Sequence, residues 1–274
     1  MPLDALEAPL IVAMEFASAA AVTSVGNVRA SNEDRHLLGT FTNGTLVAVV
    51  ADGMGGLAGG SMAAEITIET FANLAKNPLP TDPLGAYEGL LSCFYESDAR
   101  LKAHLEFPEM GATVVAAYIS PQGLLYLHAG DARMYHLRDG RVLARSIDHS
   151  VAQLSATLDP PMRVTGDFSS TVTSCVGGPG QFANLTVDPD WNNGHSDAYR
   201  PLREGDQIIL CSDGLWNLTT DDEIAQIAFA ATREAQACAI ALAKAALDRG
   251  GDDNITVIVI NVHTNLPELV ETIE

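Results

Sequence analysis

Aspartate recurs in this chain where an apolar run gives way to glycine or asparagine. Asp52 follows Val49-Val50-Ala51 in "VVADGMGG", Asp213 closes the run of "ILCSDGLW", and Asp253 in "GGDDNIT" precedes another apolar stretch. An isolated Asp-Gly is most simply a turn. Three such aspartates, with "NED" at 32–34 and "GDAR" at 130–133, invite a second reading. Carboxylates that converge repel one another and need cations to coexist. Oxygen ligands without a histidine or cysteine spacing select hard ions such as Mg²⁺ or Mn²⁺, which keep several waters. A calcium loop of the D-x-[DN]-x-[DN]-G type is not present.

The elements around these residues are legible from pattern. Short β-branched runs predict strands near 16–25, 35–41 and 45–51, the last two joined by the hairpin signal Asn43-Gly44. Gly53, Gly55, Gly56, Gly59 and Gly60 follow Asp52, allowing close backbone approach before a helix whose face is Ala64, Ile68, Phe71 and Ala75. A second helix is expected within 84–105 and a strand meander over 111–144. The stretch 148–167 loses periodicity and carries Pro160-Pro161, so a mobile segment over a site is expected there. A strand then runs into Asp213, helices follow near 222–231 and 233–247, and "NITVIVINV" is a final strand. Strands grouped in this way, rather than alternating with helices, predict an α+β fold of two antiparallel sheets packed as a sandwich and flanked by helix pairs. The expected organisation is a leader over 1–15, one domain over 16–263 and a tail over 264–274.

Composition limits the function classes. The net charge of −20, from 35 acidic and 15 basic residues, argues against nonspecific binding to nucleic acid or an anionic membrane. No basic residue precedes Arg29, which argues against a secretory signal, and no run reaches membrane-spanning length. Cys93, Cys175, Cys211 and Cys238 form no paired spacing, as expected of reduced, structural cysteines in a cytoplasmic protein.

Seven segments in order, "GNVRASNEDR", "ADGMGG", "GATVVAA", "HAGDARMYHLRDG", "DHS", "ILCSDGLW" and "GGDDNITVIVI", resemble the motifs of the type 2C metal-dependent serine/threonine protein phosphatases. The likeness spans residues 16 to 263 and is greatest to the compact bacterial branch, some members of which are partnered with kinases, including those controlling type VI secretion. It implies a centre of two tightly held Mn²⁺ or Mg²⁺ ions. Asp52 would bridge them, the Gly53 carbonyl would ligate one, and Asp213 and Asp253 would hold the other. Asp34 and Glu33 would act largely through water, and Asp131 matches a third, weaker metal site. Arg29, which alone reads as a surface arginine, matches the phosphate-binding arginine of the family, where a guanidinium grips two phosphate oxygens.

The implied activity is hydrolysis of phosphoserine and phosphothreonine in proteins by a metal-activated water, opposing a serine/threonine kinase, in a protein expected to be monomeric. The competing reading is a pseudophosphatase that binds phosphoproteins without turnover; the complete set Asp52, Asp213 and Asp253 favours the enzyme. Met54 and Leu57 stand where the family often has histidine, and Ser61 where glutamate is common. Neither Met54 nor Leu57 can protonate a departing alkoxide, so water at the Asp131 site is the expected proton source. His149 is expected to give a supporting hydrogen bond and Asn254 to orient Asp253. Thr113 is a core or orienting residue with no assigned catalytic role. His128 is expected within the sheet, and His195 in an exposed loop.

Overall fold

Strands covered on both faces need apolar side chains at every position, and the central strands here have them. The computed structural model describes residues 6–263 apart from 42–43, 56–57, 76–78, 108, 160–170, 180–184, 193–197 and 232–233. One sheet contains β1 (Leu10–Ala13), β2 (Ala17–Ser24), β7 (Arg133–Arg138), β8 (Arg141–Arg145), β11 (Gln207–Cys211) and β12 (Ile255–Val262), in the order β1-β2-β12-β11-β7-β8. The other contains β3 (Asp34–Thr40), β4 (Leu46–Met54), β5 (Gly111–Ser120), β6 (Gly123–Ala129) and β10 (Tyr199–Arg200), in the order β10-β6-β5-β4-β3, with β9 (Val176–Gly177) on the start of β5. All these pairings are antiparallel.

Alternation sorts the side chains into three apolar layers. Leu46, Ala48 and Val50 of β4 meet Ile258 and Ile260 of β12 between the sheets. Val47 and Val49 point the other way, toward helices α1 (Ala58–Ala72) and α2 (Pro83–Lys102), where Phe71 and Phe94 pack edge-to-face at 5.3 Å. Val257 and Val259 likewise face α5 (Asp221–Ala230) and α6 (Ala235–Asp248). The expected helix-flanked sandwich of two antiparallel sheets is therefore the observed fold. All four cysteines are buried and free of disulfides.

Three details differ from the sequence expectation or fall beyond it. Part of the segment read as a leader is the edge strand β1, paired with β2 from Leu10↔Ala21 to Ala13↔Ser18, because "LIVA" gains a hydrogen-bonding edge at little loop cost. The stretch read as mobile begins with helix α3 (Val151–Ala156), capped by Ser150, whose Oγ accepts from the Gln153 N–H at 3.2 Å. Its remainder over 160–167, the hairpin residue Asn43, His195 and the tail 264–274 lie outside the described residues.

Candidate metal and phosphate centre

The site forms where one end of each sheet meets the other. Register places Asp34 opposite Asp52, and Asp52 opposite Thr113, so three adjacent strands present one polar row. Across the sandwich, β11 ends in Cys211 and leads into the short helix α4 (Asp213–Trp216), while Asp253 lies just before β12. Arg29, Glu33, Asp52, Gly53, Asp131, Asp213, Asp253 and Asn254 line one cavity of about 540 Å³, together with Met54 and Thr113.

Glycine after each strand aspartate serves backbone contact. A Cβ on Gly53 would lie 2.0 Å from the Gly60 carbonyl oxygen, and one on Gly214 would lie 2.0 Å from that of Asn254. The first brings the start of α1 against β4; the second seats α4 on the loop carrying Asp253. A Cβ on Gly60 would strike the Glu33 carboxylate at 2.0 Å, so that glycine makes room for an acidic neighbour of the cavity.

The carboxylates are held in an environment that resists their ionisation. Burial pushes Asp52 well above the usual carboxylate range, and Asp34, Asp213, Asp131 and Asp253 add repulsion. Asp213 rises to about 6 through burial and Asp253, although Asn217 donates to it at 3.0 Å. Asp131 rises to about 7 through burial, then Asp213 and Asp148. Burial also raises Glu33, with Arg29 opposing. Cations of the hard type would offset this burial and repulsion and let every member ionise.

Several observations fit such ions. Oδ1 of Asp34 and Oγ1 of Thr113 are buried without a hydrogen-bond partner, an expensive state for polar atoms. Among the described residues no three His, Cys, Asp or Glu side chains converge closely enough to enclose an ion by themselves. The donor set instead offers separated carboxylates and the Gly53 carbonyl around a roomy cavity, which suits ions that retain much of their water.

The sequence-derived residues do not all stand at the cavity. Asp34 is 2% exposed and lies beneath it, accepting from Ser212 Oγ at 2.7 Å; burial pushes it up to about 7. Asn254 orients a different element from the one expected. Its side chain donates to the Val25 and Ser31 carbonyls at 2.9 Å each and accepts from the Glu33 N–H at 2.8 Å. It therefore braces the loop carrying Arg29, and only its backbone N–H reaches Asp253, at 2.8 Å. Asn27 ties the same loop to the end of α6, donating to Leu247 and Gly250. Arg29 extends from this loop and donates to Asp253 at 2.6 Å.

His149 stands off the cavity. Its Nδ1 accepts from the Gly130 N–H at 3.2 Å and its Nε2 faces Asp188 at 2.9 Å, so it fixes the turn before Asp131. It stacks on buried His128 at 4.6 Å; burial lowers His128 to about 4, and the neutral ring donates to one of two facing carbonyls, Asp188 or Ile147. Ser61 accepts from Arg35 at 2.6 Å, Met54 lines the cavity, and Leu57 lies outside the described residues.

A supporting network went unseen in the sequence. Arg133 donates twice to Asp148, at 2.8 and 2.6 Å, and lies 3.6 Å over the Trp216 ring. Trp216 in turn donates to the Asp131 carbonyl at 3.0 Å, linking α4 to the Asp131 turn. "GDAR" and "DGLW" signal the aspartates, but nothing in their spacing shows that the arginine of one stacks on the tryptophan of the other.

The match to known proteins follows this geometry. The family model described as protein phosphatase 2C matches residues 24–248. The serine/threonine protein phosphatase PstP of Mycobacterium tuberculosis is 30% identical over 250 residues, covering 89% of this chain and 44% of PstP. The chain thus spans less than half the length of that relative. The crystal structure of the PstP catalytic domain with two manganese ions matches with a TM-score of 0.71 and 28% identity, covering 91% of this chain and 99% of that one. PppA of Pseudomonas aeruginosa, described as a key regulatory component of T6SS, matches with a TM-score of 0.67 and 27% identity, covering 91% and 99%. With Asp52, Gly53, Asp213 and Asp253 lining one cavity and most of its length matched, the chain belongs to the protein phosphatase 2C family.

Proposed function

We propose that this protein hydrolyses phosphoserine and phosphothreonine monoesters in proteins, with two Mn²⁺ or Mg²⁺ ions held by Asp52, the Gly53 carbonyl, Asp213 and Asp253. The observation that carries this reading is one cavity lined by carboxylates from five separate segments, Glu33, Asp52, Asp131, Asp213 and Asp253, beside Arg29. When bound, such ions neutralise a phosphate dianion and activate water as a nucleophile near neutral pH. The remaining roles belong to the chain. Arg29, 55% exposed at its side chain and paired to Asp253, is free to turn its fork toward phosphate oxygens at the rim. Asn254 and Asn27 fix the loop from which it reaches. Ser212 and Thr113 hold or border the row of Asp34 and Asp52. Glu33 and Asp34 act on this centre from its edge and from beneath, through water or charge.

No side chain at Met54 can protonate a serine or threonine alkoxide, and general acids typically contribute on the order of 10²–10⁴-fold. Asp131 would help hold a third, weaker metal ion, whose water would supply that proton or stabilise the departing oxygen. The likeness to PppA supports an assignment opposite a serine/threonine kinase, in a pathway of the kind that controls type VI secretion. Among the described residues no helix is long and apolar enough to cross a membrane. A cytoplasmic monomer suits the strongly acidic, self-repelling surface.

The deciding experiment is hydrolysis of a phosphothreonine peptide with Mn²⁺, with Mg²⁺ and with chelator. Turnover should require the metal, and Asp52→Asn, Asp213→Asn and Asp253→Asn should each remove most of it while the far-ultraviolet spectrum is kept. Full activity in chelator would overturn the metal reading. Phosphoproteomes compared with and without the protein would identify its substrates.

A further inference from the structure

The catalytic cavity has a neighbour. A second hollow of about 490 Å³ adjoins it, and Met54, Gly55 and Val172 form walls of both. Its other described lining residues include Thr171, Cys175, Gly178 and Pro179, with Glu109 giving the one charge among them. The floor is firmly built. Gly111 pairs with Gly177, Gly178 N–H donates to the Met110 carbonyl at 2.7 Å, and Gly177 N–H donates to Asp98 at 2.9 Å. Cys175 beneath is 1% exposed, and burial raises its thiol to about 11, so it contributes an apolar surface rather than a reactive thiolate.

Resting on the phosphatase reading above, we propose that this groove is a specificity subsite that takes an apolar side chain within two residues of the phosphoresidue. A substrate whose phosphate enters the carboxylate cavity must carry its chain across the shared rim. An extended chain advances about 3.3–3.6 Å per residue, so a near neighbour reaches the hollow. Met54 suits that rim, because an unbranched thioether adapts its shape to a variable apolar partner. A strongly charged or polar neighbour would gain little there, since Met54, Val172, Cys175 and Pro179 offer it no hydrogen bond and Glu109 repels anions.

The test uses the Mn²⁺-loaded full chain and labelled phosphothreonine peptides with serine flanks, or with a single leucine one or two residues to either side. Both kcat/KM and Kd by fluorescence anisotropy are measured. At least one leucine position should improve both on the order of tenfold, the effect of partly burying one apolar side chain. Within each variant, the leucine-to-serine ratio is the readout. Thr171→Trp, at an exposed groove residue, should fill the hollow and bring that ratio toward one, and Val172→Ser should reduce it. Equal values for all peptides in the natural protein, or a ratio unchanged in both variants, would overturn the subsite. If neither p-nitrophenyl phosphate nor any peptide is hydrolysed, the phosphatase reading fails, and the anisotropy ratio decides the groove on its own.

Discussion

Replacing Asp131 by asparagine should stabilise the metal-free protein, because the wild-type carboxyl is ionised at a site that disfavours charge. Asp131 is 7% exposed, and burial with repulsion from Asp213 and Asp148 moves it from 3.8 to about 7. Each factor of ten in proton affinity corresponds to about 1.4 kcal/mol. Above pH 7 the group is therefore charged in both folded and unfolded chains, and its burial costs about 4 kcal/mol. Below 3.8 it is neutral in both and the cost vanishes; between the two values stability falls as pH rises. At pH 5 the residual cost is about 1–2 kcal/mol by the same proportion. For a chain of this size about 1 kcal/mol moves Tm by roughly 2 °C. In chelator, Asp131→Asn should thus raise Tm by about 8 °C at pH 8 and by about 3 °C at pH 5, read by circular dichroism against the wild type. No gain at pH 8, or the same gain at both pH values, would refute the reasoning.

Three other outcomes follow from the site. With Mn²⁺ present, Asp131→Asn should damage phosphothreonine-peptide turnover far more than p-nitrophenyl phosphate turnover, because only the alkoxide needs a proton on departure; equal losses would exclude that role. Arg29→Ala should weaken inhibition by inorganic phosphate on the order of 10–100-fold, a charged hydrogen bond being about 1.5–3 kcal/mol. Calorimetric Mn²⁺ affinity should change little, and the reverse pattern would make Arg29 part of the metal site. Arg133→Met should lower stability by about 3 kcal/mol, since Asp148 is left largely buried with only the longer Arg145 contact at 3.3 Å. A Tm within 2 °C of wild type would show that the Arg133–Asp148 pair carries no weight.

Local chemistry made much of this protein readable. Strands with both faces covered announce themselves as unbroken apolar runs, and Asp52, Asp213 and Asp253 stand where those runs break, so their convergence was inferable before any fold. Ser150 and Gln153 also carried a helix-start signal, which the flanking loss of periodicity obscured. What stayed hidden depends on distant pairing. That Asn254 braces residues 25–33 instead of Asp253 rests on contacts more than 200 positions apart. The burial of Asp34 behind Ser212, and the place of Thr113 beside Asp52, follow from register across sheets, which single-strand patterns do not encode.

The central position of β12 in its sheet bears on how the protein is made. β12 separates β2 from β11, pairing with β2 along its whole length and with β11 from Val257 to Asn261, and Asp253 lies just before it. Translation delivers β2 long before that partner exists. Until residues 253–262 emerge, β2 and β11 have no shared neighbour, Thr23 lacks its 2.8 Å contact with Thr256, and Arg29 lacks its 2.6 Å hydrogen bond to Asp253. Strands β3–β6 and helices α1 and α2 all precede residue 130, so their pairings need no residue of β12. The carboxylate cavity cannot assemble so early. On the proposed reading, a nascent chain would therefore turn over no phosphoprotein until β12 slots into the middle of its sheet.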